Sequence, residues 1–260
     1  MELGIIGGYS SESLLHAKNL NLDFVEICCN YDKDSLAFTA SGDIIKKNIA
    51  ETGVPIRSVG RWNACCNAGG KIDEEAFKII TDQLDAAVNI GAKVFVCGCN
   101  RDENVSLYKN YGAAIELFGR LIDRAAGKIQ IAAYNCDWNN FVYNDEQWRV
   151  VLGELPELKI KFDCSHAINR EENYLGLLSD WGDRVAHVHI KGTTRIPGHR
   201  PVDDPPAGMD GTSWGDVFAI LYARGYEGGL SIEPHSQTWF GERGEAGIKF
   251  TVDFIRRFVI

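Results

Sequence analysis

The chain has 260 residues, 45% of them apolar and 24% charged, enough to bury a sizeable core. Lys and Arg number 27 against 36 Asp and Glu, a formal charge of −9 that argues against nucleic acid or an anionic membrane as partner. The opening MELGIIGGYSSES lacks the features of a secretory signal, and no stretch approaches 18 uninterrupted apolar residues, so a cytoplasmic protein with eight reduced cysteines is expected.

Short apolar strands alternate with helical stretches along the whole chain. The predicted strands are LGIIG (3–7), DFVEIC (23–28), PIRSVG (55–60), AKVFVCG (92–98), IQIAAYN (129–135), LKIKFDC (158–164), RVAHVHI (184–190) and GGLSIEP (228–234). Between them, DEEAFKIITDQLDAAVNIG opens on acids and closes on Gly91, as helix ends prefer. NVSLYKNYGAAIELFGRLIDRAAG and SWGDVFAILYARG show similar spacing and also end on glycine. Eight such repeats imply parallel βαβ units. They predict one α/β domain over 1–260, a single (β/α)8 TIM barrel, with an open doubly wound sheet as the rival. GIIGG is not followed by the spaced glycines of a dinucleotide site.

Side chains alternate along a strand, so the apolar positions fix which residues face the barrel lumen. In RVAHVHI, Ala186, Val188 and Ile190 share the outer side, which turns His187 and His189 inward, with Lys191 just beyond. The same phasing puts Asp163, Glu233, Tyr134 and Glu26 inside. Asp163, His189 and Glu233 end three consecutive strands at the C-terminal mouth, where barrel active sites are built. Two carboxylates and an imidazole suit one divalent ion (Mn, Mg, Co or Zn) and leave positions open for substrate oxygens. A purely structural network of ion pairs is the alternative for the same residues. His187, one layer deeper, is expected to be buried and hydrogen-bonded, orienting the mouth from below.

At FDCSH, HVHIKGTTR and LSIEPH the chain resembles the xylose isomerase-like barrels, which include ketose 3-epimerases and inosose dehydratases, with apurinic endonucleases as distant relatives. The resemblance spans essentially the whole chain. It implies a divalent metal on Asp163, His189 and Glu233, and substrate contacts from His166, three residues after Asp163, and from Arg195. The family's fourth ligand, a Glu ending strand five, is missing from AAYNCDW; Tyr134 stands there, with Asn135 and Cys136 beside it. A two-carboxylate epimerisation therefore loses one partner. A single-base reaction through an enediolate, with Glu233 as base and His166 or Lys191 as acid, fits better.

The implied activity is a metal-dependent isomerase or epimerase of a small sugar, sugar phosphate or polyol. The alternatives are a single-base sugar or inosose dehydratase and a sugar-binding barrel that has lost catalysis. Phosphodiester cleavage would need more metals and more ligands than six histidines and this charge offer. Arg61 and His235 are further substrate-binding candidates, with Trp62 and Trp239 as pocket walls. Glu26 reads as structural, and DDPPAGMDG (203–211) as a rigid loop over the mouth. The cysteines fall at strand ends but lack zinc-site spacing, and read as small buried hydrophobes. The expected partner is a small molecule; self-association is left open.

Overall fold

The computed structural model describes residues 1–260. Eight parallel strands close into a barrel: β1 (Glu2–Ile6), β2 (Phe24–Cys29), β3 (Ile56–Arg61), β4 (Val94–Cys97), β5 (Gln130–Tyr134), β6 (Lys159–Asp163), β7 (Val185–Ile190) and β8 (Gly229–Ile232). All eight fall within two residues of their predicted ends. The ring closes where β1 pairs with β8, Ile5 opposite Ile232. A two-stranded antiparallel hairpin, Asn67–Ala68 with Lys71–Ile72, decorates the loop after β3.

The helices form where the sequence supplies caps. Asp73 Oδ1 accepts from the backbone N–H of Glu75 and Ala76 at 2.9 and 3.0 Å and starts the helix Glu74–Asn89. Ser106 does the same for Leu107–Ala125 through Lys109 N–H. Outward strand residues such as Val25, Ile27, Ile160, Phe162, Val188, Leu230 and Ile232 pack with helix residues in one large core. No helix is long and apolar enough to cross a membrane.

The lumen holds a second apolar layer of Trp62, Val94, Val96, Ala132, Tyr134 and Ala186. Ala186 corrects the strict alternation expected for β7. Its pairing with β6 skips a residue, Ile160 opposite Val185 and Lys161 opposite His187, so Ala186 joins the inner layer. His187 and His189 keep their inward phase. Near the floor, Phe24 lies edge-on to His187 with centroids 6.0 Å apart. It fits because Gly4 has no side chain; a Cβ there would sit 2.5 Å from the Phe24 ring and 2.6 Å from its carbonyl oxygen.

Gly4→Ala is therefore expected to destabilise the barrel by about 1–3 kcal/mol, as overpacking does. Denaturant unfolding measures it; an unchanged midpoint would contradict this packing.

Candidate active site

The C-terminal ends of β6, β7 and β8 bring Asp163, His189 and Glu233 together, their ligating atoms all within 4.8 Å of one another. His189 Nδ1 lies 3.0 Å from Glu233 Oε2 and 4.0 Å from Asp163 Oδ2. The two oxygens of Asp163 have different roles. Oδ1 caps the helix Cys164–Asn169, accepting from Ser165 N–H at 2.9 Å and Ser165 Oγ at 2.7 Å. Oδ2 is buried with no hydrogen-bond partner and points at the cluster. A buried carboxylate oxygen without a hydrogen bond is costly unless a cation faces it. The donor set, two carboxylates and an imidazole converging on an oxygen that no hydrogen bond fixes, fits a divalent ion.

Two ammonium groups already face these carboxylates. Lys191 Nζ lies 3.3 Å from both Asp163 Oδ2 and Glu233 Oε2, and 3.5 Å from His166 Nε2. Lys161, two residues before Asp163 and on the same inward phase, is almost fully buried, with Nζ 3.7 Å from Asp163 Oδ2. The alternation of LKIKFDC places Lys161 there, a site residue beyond those predicted from the sequence.

Below them a polar column fixes His189. Glu26 Oε2 accepts from His187 Nε2 at 2.7 Å and faces His189 Nε2 at 3.1 Å, while Ser58 Oγ donates to Glu26 Oε1 at 3.2 Å. His187 Nε2 also lies 2.9 Å from Ser231 Oγ. His187 is thus buried and hydrogen-bonded below the mouth, as expected. Glu26 does more than fill the lumen: its contact to Nε2 turns Nδ1 of His189 toward Glu233. Glu26, His187 and His189 could also hold an ion, but their facing atoms are already satisfied by one another.

Burial would raise the carboxylates, but the surrounding cations outweigh it. Glu233 is held well below the usual range by Lys191 and His189, and Asp163 is lowered chiefly by Lys191, with Lys161 adding to it. Burial and Lys161 push His189 down, yet Glu26 and Glu233 on its two ring nitrogens raise it overall, favouring the imidazolium when no metal is bound. His166 is pushed down to about 3, mainly by burial, and is neutral.

Where the family resemblance implies a fourth acidic ligand, the structure has an aromatic wall. Tyr134 OH accepts from Asn63 N–H at 3.3 Å and donates to Trp138 O at 3.1 Å. Trp62 stacks on Tyr134 at 5.5 Å and lies nearly parallel to His189 at 6.1 Å. Asn135 holds the Asp163 backbone with two 2.9 Å hydrogen bonds, so it positions Asp163 and has no free oxygen to offer. The remaining candidates are engaged with other partners, although His235 lines the same cavity as Glu233. Arg61 is buried and bonds Trp62 O and Asp32; Arg195 pairs with Glu171 at 2.5 Å; exposed His235 Nδ1 meets Asp204 at 2.9 Å. That last contact and Ser236 Oγ to Asp203 at 2.6 Å tie the loop 203–211 to the end of β8. Gly192 lets it approach, since a Cβ there would lie 2.3 Å from Pro205 O. All eight cysteines are free and none belongs to a ligand cluster. Burial pushes the Cys29, Cys66 and Cys97 thiols up to about 12.

The xylose isomerase-like TIM barrel description matches residues 14–258. The chain belongs to that family. Solved structures of the same fold include a 3-keto-D-glucoside 4-epimerase from E. coli in apo form, 18% identical, covering 99% of each chain with a TM-score of 0.74. D-psicose 3-epimerase with D-tagatose from Clostridium cellulolyticum H10 is 15% identical, covering 99% of each chain, at a TM-score of 0.78. A xylose isomerase domain protein from Planctomyces limnophilus is 13% identical over 95% of this chain and 92% of its own, at 0.76. No curated protein matches the sequence.

The neutral His166 predicts a pH effect. A histidine whose native pKa is depressed refuses the proton that the unfolded chain accepts below about 6.5, so it costs stability as pH falls through that value. In chelator-treated protein, the melting temperature of wild type relative to His166→Asn should fall between pH 7 and pH 5. A difference constant with pH would contradict a buried neutral His166.

Proposed function

We propose that this barrel is a carbohydrate isomerase or epimerase that moves a proton at the carbon beside a sugar carbonyl. Asp163, His189 and Glu233 would hold one divalent ion, and Glu233 would act as base. The observation that carries this reading is the convergence of the three ligands at the barrel mouth on Asp163 Oδ2, which is buried and makes no hydrogen bond. The fold-sharing sugar epimerases support the substrate class.

When bound, the ion would polarise a carbonyl and the neighbouring hydroxyl of the substrate and stabilise developing enolate charge. The remaining chemistry falls to the chain. Glu233, held ionised by Lys191 and His189 and partly open to solvent, accepts the proton from the substrate carbon at its free carboxylate oxygen. Lys191 Nζ donates a hydrogen bond to the substrate oxygen that gains charge, and neutral His166, whose Nε2 lies 3.5 Å from that ammonium as an acceptor, helps to position it. The Trp62 and Tyr134 rings exclude water from the strand-five side. Arg61, Arg195 and His235 remain candidates for more distant substrate groups, reached only if their present partners release them.

The strand-five side offers Tyr134 and Asn135 but no carboxylate facing Glu233. An exchange between two carboxylates on opposite faces of the substrate lacks its second member. This favours a one-base course within the proposed class: 1,2-isomerisation, or loss of water from the next carbon, which shares the same first step.

Glu233→Gln should retain weak metal binding through its amide oxygen but lose turnover by roughly 10²–10⁴-fold, the usual worth of a general base. Exchange of the substrate's α-proton in deuterated water, screened across keto-sugars, inososes and their phosphates, reads it directly. Undiminished exchange in the variant would move the base elsewhere.

A further inference from the structure

We infer that Lys191 is the resident cation of the metal-free site and that a divalent ion binds by displacing its ammonium from between Asp163 and Glu233. This rests on the ligand set proposed above. Lys191 Nζ is equidistant, at 3.3 Å, from the two carboxylate oxygens that face the cluster. A buried carboxylate pair must be charge-compensated, and one ammonium bridging both oxygens compensates it without a metal. The missing strand-five acid sharpens the competition. Tyr134 and Asn135 bring no negative charge, while Lys161 adds a second ammonium 3.7 Å from Asp163 Oδ2. The mouth thus has one carboxylate fewer than a four-ligand site and two ammonium groups against Asp163, and an incoming ion has to overcome both.

The displaced ammonium has somewhere to go. Lys191 lies just beyond the end of β7, and His166 Nε2, 3.5 Å from Nζ, is an acceptor outside the carboxylate pair. Asp163 Oδ2 makes no hydrogen bond that would hold the ammonium rigidly. The exchange couples metal loading to delivery of Lys191 toward the substrate oxygen it contacts in the proposed reaction.

The test is Mn²⁺ binding by titration calorimetry, together with melting of the chelator-treated protein. Lys191→Met removes the charge at similar volume; Lys191→Arg keeps the charge. Lys191→Met should bind Mn²⁺ at least about tenfold more tightly than wild type and melt lower without metal, because unpaired buried carboxylates are left behind. Lys191→Arg should bind no more tightly than wild type. If Lys191→Met does not fold without metal, Lys161→Met should show the same tightening by a smaller factor. Mn²⁺ binding to Lys191→Met but not to wild type would uphold the competition while refuting a metal-loaded native enzyme. Binding by wild type with no tightening in either Met variant, or binding by none of the proteins, would overturn it.

Discussion

Three carboxylates inside one barrel lumen require cations beside them. Glu26 and Asp163 are fully buried and Glu233 is partly so, on strands that meet at a single mouth. Leaving one such charge unpaired costs about 3–5 kcal/mol, a large share of a domain's stability. The chain meets the requirement with Lys161, Lys191 and the imidazolium of His189. Those cations then decide which groups stay ionised and which stay neutral. Glu233 is kept ionised, while His166, pushed down mainly by burial with two ammonium groups nearby, stays uncharged.

The same constraint organises depth. Glu26 on β2 reaches across the lumen to both histidines of β7, so one carboxylate sets the orientation of the buried ring and of the ring at the mouth. Asp163 divides its oxygens between a helix cap and the cluster, which ties the site to the start of the following helix. Asn135 secures the backbone beneath it. The reactive side chains are held by neighbours whose own hydrogen bonds are used up, as a preorganised site requires.

Much of this was legible in the sequence, because strand alternation is a local property. The eight apolar runs gave the barrel, and end-of-strand phase brought Asp163, His189 and Glu233 to one mouth. Lys161 obeys the same phase two residues before Asp163, so its inward position follows from the alternation of LKIKFDC. Ala186 broke the pattern because a pairing irregularity between β6 and β7 is invisible in one strand's sequence. The contacts of Arg195 with Glu171 and His235 with Asp204 depend on loop conformation, which has no period to read. Glu26 was phased inward correctly, but its reach to His189 is set by barrel diameter and strand stagger.

The central claim is that the β6, β7 and β8 termini form one divalent-ion site. Anomalous diffraction from crystals soaked in Mn²⁺ tests it most directly. The account predicts a single strong peak about 2.0–2.3 Å from Asp163 Oδ2, His189 Nδ1 and a Glu233 carboxylate oxygen, with Lys191 turned out of the carboxylate pair. No peak at saturating Mn²⁺ with Lys191 still bridging Asp163 and Glu233, or a peak on other residues, would contradict it.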